Sequence, residues 1–439
     1  MNTNASGSPV RLRTPQRQQM TMVVQCPDDL LPPEHPARVV WDVAGRLDLT
    51  AFCSDIKAVE GVAGRDSTDP RLLVSLWLYA SIEGVGSARR LDELCREHDA
   101  YKWLCGGVSL NYHTLSDFRV GHGQALDELF TSVLATLAEQ GLVSLKTISQ
   151  DGMRVRASAG ADSFRREEQL GQLLEQAKAQ VEELKRQVND PAYAADVSAR
   201  QKAARQRAAR ERLARVQQAV KQLPELQEAQ KQLATKCSQK QKEELDKKRQ
   251  PRASTTDPEV RRMKMPDGGF RPAVNVQLAT DTASRAIVGV TVSNRGVDNA
   301  GQSPEMRQQV QERLEGKVRQ HLMDGGYVKA QDIDQAAVEG VEVYMPPKPP
   351  RNTEKRSSGC DPMPGDSPAV AEWRRRMGSD AGKEVYKLRA STSETVNADL
   401  RCFRGLGQFV VRGMPKILCV ALWSALAYNV MHFASALLR

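Results

Sequence analysis

Between Gly171 and Gly268 the chain has no glycine, and from residue 165 to 269 its only aromatic residue is Tyr193. That stretch lacks the material for a packed core of its own. Leu170, Leu173, Ala177, Val181, Leu184 and Val188 recur at steps of three and four, the spacing of a coiled-coil seam. Asn189-Asp190-Pro191 reads as a turn, after which Leu213, Val216, Val220 and Leu223 resume the seam. Residues 165–250 are therefore expected to form an antiparallel helical hairpin, turning near Asn189 to Tyr193. Residues 201–250 hold 14 Lys or Arg against 6 Asp or Glu, so +8 of charge lies in that segment of a chain whose net charge is +9. Such a hairpin is a solvated structural coiled coil, an assembly contact, or a surface that lies along a polyanion.

The segments on either side have different periods. Residues 1–25 read as a disordered tail and residues 26–142 as an all-α domain. In that domain Asp69-Pro70 starts one helix, Gly84 to Gly86 break it, and Ser87 caps a second. Thr114 and Asp117 give a capping-box-like start to a helix reaching Gln140. These short helices suit a helix-turn-helix module and a plain helical bundle equally. Residues 144–158 read as a strand. Beyond the hairpin, Ala273 to Ala279 alternates, with Val274, Val276 and Leu278 inward and Asn275 and Gln277 outward, and Ala286 to Val292 follows as a second strand. A helix over 303–314, a short strand before Asp324, a helix over 330–339 and a strand over 341–345 complete the alternation. Residues 346–368 read as an irregular proline-rich loop, and two more helices follow.

Three acidic residues hold matching places in this order. Asp151 lies in the first strand, Asp324 just after the fourth, and Glu394 on a late helix. Carboxylates far apart in sequence can converge in a fold and hold two divalent cations, which activate water or a 3′-hydroxyl and stabilise the leaving oxygen of a phosphodiester. Asp281 and Asp298 compete for the second place, but both suit loops. On an α-helical wheel Val385, Leu388, Thr392, Val396, Leu400 and Phe403 form one stripe, with Glu394 nearly opposite. Arg401 projects within about 20° of Glu394, Tyr386 some 80° away and Arg389 about 140° away.

With residues 165–250 set aside, the element order is that of an RNase H-like fold, an α/β class with a mixed sheet flanked by helices. The chain further resembles the DDE transposases of bacterial insertion sequences. The resemblance rests on Leu30-Leu31-Pro32-Pro33-Glu34-His35-Pro36, Thr114-Leu-Ser-Asp-Phe118-Arg119, Ser149-Gln-Asp151-Gly-Met-Arg-Val-Arg-Ala157, Thr256-Asp257-Pro258-Glu259-Val-Arg261-Arg-Met263 and Asp324-Gly325-Gly326-Tyr327. Tyr386, Arg389, Glu394 and Arg401 resemble the family's Tyr-Arg-Glu-Lys signature, with Arg in place of Lys and four residues rather than three between Arg389 and Glu394. The resemblance implies a catalytic domain over 143–439, interrupted by the 165–250 insertion. Asp151, Asp324 and Glu394 are then the catalytic, metal-holding residues for two Mg²⁺ ions, with Mn²⁺ able to substitute. Tyr386, Arg389 and Arg401 support them or contact phosphate. The implied reaction is cleavage at transposon ends followed by strand transfer into target DNA. The alternatives are an RNase H-like nuclease without strand transfer, or an inactive transposase-derived DNA-binding protein.

The net positive charge suits an acidic partner. Double-stranded DNA, both element ends and target, is expected, bound by a homodimer, with Arg89, Arg90 and Arg119 as contacts from the helical domain. The eight cysteines include no C-x-x-C pair, so a zinc site is not indicated. Met1 to Gln19 has no apolar signal-peptide core, and a bacterial cytoplasmic, nucleoid-associated location is expected. Ile417 to Leu438, interrupted only by the polar Ser424, Asn429, His432 and Ser435, is apolar enough to invite a membrane reading, but nothing else in the chain is membrane-like, and a buried core helix is expected.

Overall fold

The computed structural model describes residues 16–20, 22, 24–54, 56–59, 61, 66–188, 198–235, 250–298, 301–348 and 359–439. Six helices come first: α1 (Pro36–Ala44), α2 (Pro70–Ile82), α3 (Ala88–Glu97), α4 (Asp99–Cys105), α5 (Tyr112–Gly121) and α6 (Gly123–Glu139). Asp69 and Ser87 cap α2 and α3 through their side chains, where the sequence placed those starts. The long helix expected from Thr114 to Gln140 is two helices. Asn111 accepts from the amides of His113 and Thr114 and starts α5 earlier, and the chain breaks at Gly121-His122. Asn111, immediately before the first helical residue, satisfies with its side-chain carbonyl orphan N–H groups that Thr114, already inside the helix, cannot.

The sheet comprises β1 (Thr147–Arg156), β4 (Arg261–Lys264), β5 (Phe270–Asp281), β6 (Ile287–Ser293), β7 (Gln320–Leu322) and β8 (Glu342–Tyr344). Its order is β4-β5-β1-β7-β8, with β6 also pairing β5. β5 runs antiparallel to β1, β4 and β6, while β1, β7 and β8 are parallel. The two parallel steps need crossovers, supplied by α9 (Gln302–Arg313) before β7 and α10 (Ala330–Glu339) before β8. A small ladder joins β2 (Phe164–Arg165) to β3 (Ala253–Ser254) across the ends of the insertion. Asn275 and Gln277, expected to face solvent, are fully buried. Alternation predicts one wet face only when one face of a sheet is uncovered, and here both are covered.

The insertion is α7 (Glu167–Val188) and α8 (Ala199–Thr235). Gln227 bonds Glu167 and Arg212 bonds Gln180, so the helices run antiparallel. Leu170, Ala177, Val181, Val216 and Leu223 are buried between them, joined by Ala209 and Ala219. The turn expected at Asn189 to Tyr193 lies outside the described residues. The hairpin is fixed at its base, where Arg261 of β4 bonds Gln222 and faces Glu225 at 3.8 Å.

After α11 (Pro368–Gly378) and α12 (Asp380–Arg389) the chain makes a π turn over Ala390–Glu394 and continues as α13 (Thr395–Cys402). It ends with α14 (Met414–His432) and the short α15 (Ala434–Leu437). α14 is the one helix among the described residues long and apolar enough to cross a membrane, and 72% of that window is buried inside the protein. It packs against α2, α5, α6 and β6, so a single apolar core runs from Leu31 to Leu437. A helix that is apolar all round is covered all round, and its polar residues are satisfied. Asn429 exchanges two hydrogen bonds with the backbone of Ile287 in β6, Ser424 bonds the Val420 carbonyl, and His432 meets the Ser284 carbonyl. The α14 N-terminus is capped from a distance: Asp257 accepts from the Gly413 amide at 3.0 Å and Glu259 from the Met414 amide at 2.7 Å. The Thr256-to-Met263 motif thus anchors this helix.

Candidate active site

Asp151 sits mid-strand in β1, and strand parity sends Ser149 and Asp151 to one face. There Ser149 bonds Ser393 and Asp151 accepts from the Asn397 amide at 3.1 Å, so this face is roofed by the π turn and α13. Parallel pairing sets Ser149 opposite Leu322. Asp324 follows the end of β7 by two residues, and its charge acts on both Asp151 and Arg389. The Met323 amide, bonded to the Tyr344 carbonyl, ties this strand end to β8. Asp324 then turns the chain by accepting from the Gly326 amide at 2.7 Å.

Glu394 arrives from the roof. Arg389 lies between it and Asp151, with one terminal nitrogen 3.1 Å from Asp151 Oδ1 and the other 3.1 Å from Glu394 Oε1. The Arg389 and Asp151 side chains are mostly buried, whereas that of Glu394 is 60% exposed. The α-helical wheel set Arg389 about 140° from Glu394, and this is corrected by the π turn. At roughly 4.4 residues per turn, positions i and i+5 lie on one face. The extra residue between Arg389 and Glu394 is absorbed there. Exposure of Glu394 fits its place opposite the apolar stripe, of which Thr392, Val396 and Leu400 are buried while Leu388 and Phe403 are exposed.

The electrostatics join the same residues. Burial raises the pKa of Asp151; the Arg389 charge opposes that, and Asp324 and Asp298 push it up further. Burial works against the Arg389 charge, yet Asp151, Tyr386, Asp324 and Glu394 together hold it more firmly protonated than usual. Tyr386 is shifted upward by burial, against Arg389 and with the three carboxylates. Tyr327, buried and donating to Gln277, is raised by burial and then by Asp298, Asp151 and Asp324. Among the described residues no three Asp, Glu, His or Cys side chains stand close enough to chelate an ion as they are.

The other expected residues are dispersed. Arg401 is exposed and bonds the Arg154 carbonyl at 3.4 Å. Arg89 lies over the Tyr112 ring, and Arg90 is paired with Glu93 and Glu97. Arg119 is a correction: it is buried over the Trp77 ring, donates to the Gly86 carbonyl, and has its pKa lowered by burial to about 10. A guanidinium so enclosed cannot meet phosphate. Asp281 closes a turn by accepting from Ser284, as its loop role required.

One neighbour, Asn397, escaped the sequence reading, and a second, Asp298, is read there as a loop residue. Asn397 follows Glu394 by three residues, and that spacing was the available signal. Asp298 comes from the loop after β6, where the amides of Asn275 and Gln277 both donate to its Oδ1 at 2.8 and 3.0 Å. It rests against Gly152, where a Cβ would lie 2.6 Å from that oxygen.

No curated protein and no solved structure matches the chain. Residues 25–120, which are 96 of the 439 and include none of the three carboxylates, match the model of a transposase domain, DUF772. The match spans α1 to α4 and nearly all of α5, with the segments between them, and over those residues the chain is similar to a transposase domain.

Proposed function

We propose that this protein is a DDE transposase whose catalytic domain is RNase H-like, with Asp151, Asp324 and Glu394 as its acidic triad. One observation carries the reading most: residues 243 positions apart, Asp151 and Glu394, share one guanidinium, beside a strand end that carries Asp324. The strand order supports it, with an antiparallel β6-β5-β1 half and a parallel β1-β7-β8 half. The transposase match over 25–120 supports the DNA-processing class.

The donor set suits Mg²⁺, which takes hard carboxylate oxygens and keeps open positions for phosphate. Burial raises the pKa of Asp151, and the nearby Asp324 and Asp298 add to it, so a cation bound there would favour its charged form. Asp151, Asp324 and Glu394 would hold the ions, which when bound supply Lewis-acid stabilisation of the phosphodiester and of the attacking oxygen. The chain's own residues do the rest. Asn397 fixes the Asp151 carboxylate by donating to Oδ2. Arg389 is the cation nearest both carboxylates and, when it lets them go, has a fork that matches phosphate bidentately. Arg401 lies exposed on the same helical run and offers a second guanidinium to the backbone of DNA.

The test is incubation of the purified chain with DNA from the ends of its own element, with Mg²⁺. Nicking at the ends followed by joining to a plasmid supports the proposal. Nicking without joining would indicate the nuclease, and binding without either would indicate a DNA-binding protein.

A further inference from the structure

We propose that the outward face of α8 is a docking ridge for duplex DNA, built from Arg200, Arg207, Arg210 and Lys221. This rests on the DNA-processing reading above. At 100° per residue these four side chains fall within a sector of about 80°. Buried Ala209, Val216, Ala219 and Leu223 fall in the opposite sector, against α7. All four cations are exposed, and no ion pair or hydrogen bond holds any of them among the described residues. Residues 199–224 carry eight Lys or Arg and a single acid, Glu211, which faces Arg215 at 3.9 Å.

The ridge runs about 32 Å, from 21 residues at 1.5 Å each, close to one turn of B-DNA at about 34 Å. It is held stiff by the seam with α7 and tied to the catalytic sheet through Arg261. Arg and Lys supply the sequence-independent phosphate contacts that position a protein on a duplex. The competing occupant is the acidic α7 of a second copy. Three of its acids, Glu175, Glu182 and Glu183, are already paired within α7 to Lys178, Lys185 and Arg186, which leaves that helix little charge to offer.

The experiment replaces all four cations by Gln in the full chain and measures binding to a random-sequence duplex by fluorescence anisotropy in 50–200 mM KCl. Each lost phosphate contact removes about 0.9 from the slope of log K against log salt. The slope is expected to fall by roughly 2–4, with affinity at the lowest salt down by at least about 10-fold. A variant with Lys at the three Arg positions should keep the slope. Because Gln is a good helix former and the positions are exposed, far-UV circular dichroism should be unchanged. An unchanged slope overturns the ridge, as does unchanged DNA affinity with a smaller oligomer in sedimentation. Either result leaves the cleavage reading standing, whereas a wild-type chain that binds no DNA would overturn both.

Discussion

Arg389 and Glu394 are five residues apart and ion-paired at 3.1 Å because the helix between them is a π turn. Five residues of α-helix would put them on different faces. The same guanidinium takes Asp151, so Arg389 competes with any divalent ion for two carboxylates at once. Arg389→Gln should therefore tighten Mn²⁺ binding to the DNA-free chain by roughly 3–10-fold, the worth of about 1 kcal/mol of ion pairing, while lowering cleavage. Manganese EPR titration measures the first. Weaker Mn²⁺ binding in the variant would mean that Arg389 organises the carboxylates rather than competing for them.

Asn397 holds Asp151 from the roof of the site. Asn397→Ala should lower cleavage by about 10–100-fold, as expected when the hydrogen-bond partner of a metal ligand is removed. Asp151→Asn should abolish cleavage. DNA affinity, read by anisotropy, should stay within about threefold in both, since neither residue belongs to the cationic surface.

Gly152 leaves no room for a side chain: a Cβ would lie 2.4 Å from Gln277 Nε2, 2.6 Å from Asp298 Oδ1 and 2.9 Å from Asn275 Oδ1. These groups are hydrogen-bonded to one another and cannot simply rotate away. Gly152→Ala should destabilise the protein by about 1–3 kcal/mol, seen as a lower denaturation midpoint. An unchanged midpoint would show that the Asp298 loop yields freely.

Removing a cap from α14 should matter although the helix is well packed. Glu259→Ala frees the Met414 amide and should cost about 1 kcal/mol. Chemical denaturation would read this, and Glu259→Gln, which keeps an acceptor oxygen, should recover most of it.

His321 is fully buried, and burial first, then the Arg307 charge, pulls its pKa well below the usual 6.5. The folded chain therefore keeps it neutral while the unfolded chain protonates it. Its contribution to stability is complete above the unfolded pKa and is lost as pH falls from there toward the folded value. The slope is about 1.4 kcal/mol per pH unit. Denaturation midpoints from pH 7.5 down to 5 should fall accordingly, and His321→Leu should flatten that part of the profile.

The sequence by itself determined what local periods and caps can determine. Alternation located β5, apolar and β-branched residues located β1 and β6, heptad spacing located the α7–α8 pair, and Asp69 and Ser87 announced their helices. Those signals lie within a few residues of the structures they specify, so they survive without tertiary context. Asp151, Asp324 and Glu394 were legible as candidates because element order fixes which end of which strand a residue occupies. Tertiary structure decided the rest. Only packing on both faces of the sheet buried Asn275 and Gln277, only the fold brought Asp298 against Gly152, and only the surrounding core turned Arg119 inward. The π turn also belongs to this second group. One extra residue between Arg389 and Glu394 shifts an α-helical face by about 100°, and the chain restores the pairing because Asp151, 238 positions before Arg389, waits for the same guanidinium.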